Sequence, residues 1–200
     1  MGANMKRITL LLAILLVGCA GMDPQPPEPQ KVEEPKKLES LDIDLPRPAS
    51  EADVTYLGLE GSSDSFRMDQ IKARVLVVEV FDMYCRFCQG AAPKVDALYE
   101  LNLRSGFGNE VKLIGIGRMN TELEVSTFKE KYKVKFPIFA DKDLSVTRAL
   151  QAADEGTPHF IVIRMDQGGQ VTVVHTSTGA FEDPKAFHEV ILERAGLKKE

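Results

Sequence analysis

The chain has 200 residues, 44% of them hydrophobic and 28% charged, an ordinary balance for a soluble globular protein of one or two domains. That balance excludes a collagenous, fully disordered or multi-span membrane chain. The formal charge of −5 provides no overall basic footprint for nucleic acid, and three cysteines are too few for a disulfide-dense mini-protein.

At the start of the chain, Lys6 and Arg7 precede residues 8–17, a mostly apolar run. A membrane span needs about 20 such residues, so the run fits the apolar centre of a secretory signal instead. It ends at Leu16-Val17-Gly18-Cys19, which resembles the lipobox of bacterial lipoproteins at all four positions. The resemblance implies a signal peptide over residues 1–18, cleavage before Cys19, and lipidation of Cys19. The alternatives are an ordinary cleaved signal with a chance cysteine and an uncleaved anchor helix. Ala20, where Asp would stand in a retained lipoprotein of enteric bacteria, favours the outer membrane over the inner. Loss of Lys6 and Arg7 takes the formal charge from −5 to −7.

Residues 19–50 carry Pro24, Pro26, Pro27, Pro29, Pro35, Pro46 and Pro48, and no aromatic residue. Such a segment buries too little apolar surface to offset its ordering entropy. It reads as a Pro-rich disordered tether, which at about 3.1 Å per residue reaches roughly 100 Å from a membrane. The alternative is that residues 38–45 form an edge strand on the domain.

Every aromatic residue lies at or beyond Tyr56, so residues 51–200 are the expected folded domain. Residues 54–59 and 64–68 read as a short hairpin around Gly61-Ser62-Ser63. Residues 75–81 are a continuous apolar run rich in valine, the pattern of a strand buried on both faces. A helix is expected over 85–103, a second buried strand over 111–116, and a helix over 122–132. A short extended piece at 137–140 precedes a helix over 144–152. Residues 160–164 and 171–175 form a hairpin around residues 166–169. The closing helix spans 184–195, with Asp183 as N-cap and Pro184 in its first turn. The fold class is α/β, a central mixed β-sheet flanked by helices.

With Cys19 accounted for, Cys85 and Cys88 are the remaining thiols, and they are three residues apart. Cysteines at that spacing on a helix share one face and lie within disulfide reach. They follow a buried strand and open a helix, whose N-terminal N–H groups favour a thiolate at Cys85, as does Arg86. Cys85 is then the exposed attacking thiolate and Cys88 the shielded resolving thiol. A structural disulfide or half a zinc site are the bland alternatives. A zinc site wants four ligands, and only His159, His175 and His188 are available beside the pair. Tyr84 and Phe87 form an apolar rim for a polypeptide partner, or simply pack. Pro93 is expected to kink the helix.

The stretch from Glu79 through Cys85-Arg86-Phe87-Cys88, with Pro93 beyond, resembles the active site of the thioredoxin superfamily. Gly156-Thr157-Pro158 followed by His159-Phe160-Ile161-Val162 resembles that superfamily's cis-proline loop and next strand. The insertion holding residues 136–141 is similar to the extracytoplasmic TlpA-like branch and the related redoxins. The resemblance covers about residues 52–197 and implies a thioredoxin-like fold, a cis Pro158, and Thr157 placed to hydrogen-bond an incoming chain. It also implies that Glu79 relays a proton to Cys88; the alternative is a rim position with water access. Three positions depart from the pattern: Tyr84 replaces a Trp, Arg86-Phe87 replaces the usual middle pair, and Ala91 stands where the branch often holds Glu. These leave the redox potential and the partner open.

The resulting expectation is a lipid-anchored, periplasm-facing thiol–disulfide oxidoreductase with no cofactor and no metal. It acts on disulfides or thiols of exported proteins and is recycled by an inner-membrane redox partner. The resemblance implies a reducing role, whereas Arg86 and the helix N-terminus push the pair toward a more oxidising potential. The competing readings are a copper carrier using Cys85, Cys88 and His159, a peroxidase, and a non-catalytic adaptor. Copper carriers of this superfamily space their cysteines one residue wider, and the sequence lacks a Pro-x-x-x-Thr-x-x-Cys pattern.

Overall fold

The computed structural model describes residues 36–166 and 170–197. The lipobox-like segment, most of the expected tether and the tip of the last hairpin lie outside the described residues. The elements run β1 (Lys36–Leu38), β2 (Asp44–Pro46), α1 (Glu51–Leu57), β3 (Ser65–Arg67), β4 (Val75–Phe81), α2 (Arg86–Arg104), β5 (Val111–Arg118) and α3 (Glu122–Tyr132). They continue with β6 (Ile138–Asp141), α4 (Ser145–Ala149), β7 (His159–Met165), β8 (Val171–Thr178) and α5 (Pro184–Ala195). Six strands form one mixed sheet in the order β1-β8-β7-β4-β5-β6, and β2 with β3 forms a separate ribbon. β4, β5 and β6 are parallel, joined through α2 and α3, while β7 runs antiparallel to β4 and to β8.

β4 sits at the centre because every one of its residues is buried. Its side chains alternate between two faces. Val75, Val77 and Phe81 enter one core with residues of α2, α3 and α5. Leu76, Val78 and Val80 enter a second core with Leu45, Leu57, Phe66, Met68 and Val146. On the first face the Phe81 ring stacks on Phe128 of α3, centroids 4.6 Å apart. Gly117 in β5 makes room for that stack: a Cβ there would stand 2.6 Å from Val125 and 3.2 Å from the Phe81 ring.

Local chemistry sets the helix ends. Thr121 and Glu124 form a reciprocal capping box at α3. Asp183 accepts from the Lys185 N–H at 2.9 Å, Pro184 opens α5, and Gly196 closes it at φ 71°. Pro93 stands inside α2, whose Asn102 donates to the Val111 carbonyl at 2.9 Å. The expected helix over 144–152 is shorter, Ser145–Ala149, because Leu144 and Gln151 both adopt positive φ at its ends.

Two expectations are corrected. The hairpin over 54–59 and 64–68 is instead α1 followed by strand β3. Ser50 caps α1 by accepting from the Asp53 N–H, Glu51 and Asp53 occupy the first turn, and Gly58 ends it at φ 68°. Val54 and Leu57, three apart, are its buried face, so the apolar spacing is helical. β3 pairs with β2 rather than with its own upstream neighbour. The folded unit also begins before residue 51. β1 pairs with β8, and Leu38, Leu41, Ile43 and Leu45 are all buried. Full burial of one such side chain contributes about 1.5–3 kcal/mol, which offsets the ordering of this short stretch.

Gly117→Ala is expected to lower stability by about 1–3 kcal/mol through overpacking against Val125 and Phe81. A urea titration reads this as a lower midpoint at unchanged slope.

Candidate active site

Because β4 is flanked by β5 and β7, its C-terminal end delivers the chain to the start of α2 between two neighbouring loops. Cys85 is the N-cap of α2, with extended backbone (φ −73°, ψ 117°), and its N–H donates to the Asp82 carbonyl at 3.0 Å. Cys88 lies one turn on, fully buried. Both cysteines are in the thiol form. The Cys85 thiol donates to the Thr157 carbonyl at 3.2 Å across 72 residues of sequence. The Thr157–Pro158 peptide bond is cis.

The two thiols are electrostatically unlike. Burial works to raise the Cys85 pKa, but hydrogen bonds to its sulfur from the Thr157 side chain, from Cys88 and from the Phe87 backbone outweigh it and leave the pKa lowered. Burial dominates at Cys88 and pushes its pKa up to about 12. Cys85 is therefore the thiol poised to ionise, and Cys88 the one that keeps its proton.

Glu79 is 2% exposed, and its Oε1 has no hydrogen-bond partner among the described residues. Burial raises its pKa to about 8. The water-accessible rim position weighed from sequence is thereby excluded. Strand alternation places Glu79 on the same face as Val77 and Phe81, and it pairs with Phe160 of β7. Cys88 and Ala91 of α2 pack into that same core. With alanine at 91, the buried carboxylate on this face comes from the strand rather than from the helix.

His159 lies on the opposite face. It pairs with Val80, and its Nδ1 is 2.8 Å from the Thr178 hydroxyl. The geometry does not bring it together with the two thiols, so the three-ligand copper set is corrected. Among the described residues no group of three or more His, Cys, Asp or Glu converges as a metal site.

A set of residues that sequence reasoning did not single out holds the α2 entrance. Asn120 accepts from the Met83 N–H at 2.9 Å and donates to Asp82 at 3.3 Å. Asp82 also accepts from the Tyr84 N–H, and the Gln89 side chain donates to the Met83 carbonyl. The Tyr84 hydroxyl donates to Glu124 at 2.5 Å. The signal for Asn120 was its place between a buried strand and the Thr121-x-x-Glu124 capping box, where a parallel strand ends beside its neighbour. Tyr84 and Phe87 are 66% and 74% exposed, and Met119 and Leu123 are also exposed large apolar side chains.

The fold is that of known disulfide oxidoreductases. A secreted Mycobacterium tuberculosis disulfide oxidoreductase homologous to E. coli DsbE superposes with a TM-score of 0.54 at 18% identity, covering 76% of this chain and 96% of that one. In sequence, the thiol–disulfide oxidoreductase ResA of Halalkalibacterium halodurans is 24% identical over 147 residues, 74% of this chain and 79% of the relative. ResA of Geobacillus thermodenitrificans is 24% identical over 139 residues, 70% and 74% of the two chains. Fold and relatives define a thiol–disulfide oxidoreductase of thioredoxin-like architecture. The AhpC/TSA family model matches residues 47–174, and the chain belongs to that family.

Glu79 makes stability pH-dependent with a definite sign. Its folded pKa, about 8, lies above its ordinary 4.5, so the folded state holds a proton that the unfolded state releases between those values. Stability from this group is complete below pH 4.5 and is lost as pH rises toward 8, at about 1.4 kcal/mol per displaced unit. Urea unfolding of the reduced protein is expected to show a larger loss between pH 5 and pH 9 in the wild type than in Glu79→Gln.

Proposed function

We propose that this protein is exported, anchored by a lipid on Cys19, and reduces disulfides of exported proteins through Cys85 and Cys88. The carrying observation is the asymmetry of the pair: a partly exposed, acidified thiol at a helix start and a fully buried, proton-holding thiol one turn later. Export and anchoring rest on Lys6, Arg7, the apolar run and the lipobox-like Leu16-Val17-Gly18-Cys19. No helix among the described residues is long and apolar enough to cross a membrane.

In the first step the Cys85 thiolate attacks one sulfur of a substrate disulfide. A mixed disulfide forms, and the other substrate sulfur leaves as a thiolate that takes a proton from water. Cys88 then loses its proton to the Glu79 carboxylate and attacks the Cys85 sulfur. The second substrate sulfur is released as a thiolate, and Cys85 and Cys88 end as a disulfide. Two electrons have passed from the dithiol to the substrate. An inner-membrane redox partner returns them. Thr157 and Pro158 lie beside the attacking sulfur as contacts for the incoming chain, and Tyr84 and Phe87 border its path.

Cys85→Ser is expected to abolish disulfide reduction, while Cys88→Ser accumulates a mixed disulfide that non-reducing electrophoresis and mass spectrometry detect. A full-activity Cys85→Ser variant would sink the proposal. The reduction potential, read by thiol trapping in glutathione or dithiothreitol buffers, is expected near about −270 mV, and a value near about −120 mV would mean an oxidant.

Glu79 must be ionised to accept the Cys88 proton. Single-turnover resolution is therefore expected to speed up as pH rises toward about 8. Glu79→Gln should remove that rise and slow the step by about 10²-fold or more, as measured by stopped-flow release of substrate thiol.

A further inference from the structure

Thr157 reaches Cys85 with two groups that act in opposite senses. Its carbonyl accepts from the neutral thiol at 3.2 Å, which favours the protonated form. Its side chain hydrogen-bonds the sulfur in the sense that favours the thiolate. Which one prevails depends on where the loop over residues 155–158 sits, so whatever holds that loop sets the reactivity of Cys85.

The loop is held from two strands that do not carry the thiols. From β5, Arg118 Nη1 donates to the Glu155 carbonyl at 2.5 Å. From β8 and the turn beyond it, the Gly179 N–H donates to the Pro158 carbonyl at 2.8 Å. The Thr178 hydroxyl, also in β8, donates to Glu155 Oε2 at 3.2 Å. That hydroxyl has one proton, and the carboxylate takes it. The 2.8 Å contact between Thr178 Oγ1 and His159 Nδ1 therefore has the imidazole Nδ1–H as donor. The chain of bonds His159 to Thr178 to Glu155 thus closes the loop on itself, with Glu155 Oε2 3.9 Å from His159 Nδ1. His159 is buried on the sheet face opposite Glu79 and the α2 core, and these hydrogen bonds connect it to the thiol through the loop.

We propose that Arg118 and the His159–Thr178–Glu155 chain form a clamp on the 155–158 loop, with Thr178, Arg118 and His159 as positioning residues that fix Thr157 against Cys85. This rests on the reading of Cys85 as the attacking thiol. The clamp explains why the imidazole next to Pro158 is oriented away from the thiols and toward Thr178. It also gives Arg118, at the end of a buried strand, a backbone carbonyl rather than a carboxylate as its partner.

The test uses Thr178→Val and Arg118→Met, two changes at positions outside the packed core that touch the loop from different strands, with Thr178→Ser as the conservative control. The readouts are the pH–rate profile of Cys85 alkylation by iodoacetamide and the equilibrium constant of the dithiol pair with glutathione. Urea unfolding verifies the fold of each variant. Thr178→Val and Arg118→Met are expected to slow alkylation at pH 7 by threefold or more, to shift the profile to higher pH, and to change the glutathione equilibrium by a similar factor. Thr178→Ser is expected to retain the wild-type profile. Profiles of folded Thr178→Val and Arg118→Met that coincide with the wild type overturn the clamp while leaving the dithiol mechanism standing. The clamp is equally overturned if Thr178→Ser is displaced as far as Thr178→Val. A wild-type Cys85 that alkylates like an ordinary free thiol overturns the reading of Cys85, and the clamp with it.

Discussion

Strand β4 is dry on both faces from Val75 to Phe81, and the site follows from that burial. A strand in this position has its direction and height set by two cores at once, so the chain leaving Phe81 has one path, upward into the turn at Asp82 and on to the first turn of α2. Cys85 is placed by that path at the boundary between core and solvent. The helix start provides N–H groups to its sulfur, and the core one turn below shuts solvent away from Cys88. The same burial isolates Glu79. A carboxylate on that strand has no water to ionise into, and its proton is retained to about pH 8. Burial thus raises the proton affinities of Glu79 and Cys88, while hydrogen bonds to the Cys85 sulfur lower that of Cys85.

The second constraint is the parallel pairing of β4 with β5. It brings two strand ends to the same rim, and Asn120 ties the turns above them together through Met83 and Asp82. Tyr84 and Glu124 join the same two turns at the surface. The antiparallel strand β7 on the other side of β4 carries Thr157 to the sulfur from the opposite flank. The thiol is bordered by turns that side chains at the strand ends, Asn120, Arg118 and Thr178, tie in place. This geometry separates a buried floor at Cys88 from exposed side chains at Tyr84 and Phe87.

Ala91 marks where the site departs from the branch it resembles. A carboxylate contributed by the helix would have the freedom of an α2 side chain. Here Glu79 projects from the strand, held by ladder hydrogen bonds to β5 and β7. Its carboxyl is shut off from solvent by the core around it.

Much of this was legible in the chain itself. The valine-rich run, the Asp183-Pro184 start, the thiol spacing and the Thr-Pro dipeptide are local patterns, and each produced the element expected of it. The misreadings also have local causes. Val54 and Leu57 sit in a window too short to separate helical from alternating spacing, and the aliphatic residues 38–45 were masked by the prolines on either side. The sequence by itself determined the parts of the site: the two thiols, the buried acid, the loop that faces them. Tertiary structure decided their relations. It put Glu79 on the Cys88 face and His159 on the other, recruited Asn120, and set Thr157 against a sulfur 72 residues away. Capping and periodicity act over a few residues and can be read along a line. Which face a strand residue occupies, and which distant loop closes over a helix start, depend on how strands pair, and only the folded sheet settles that.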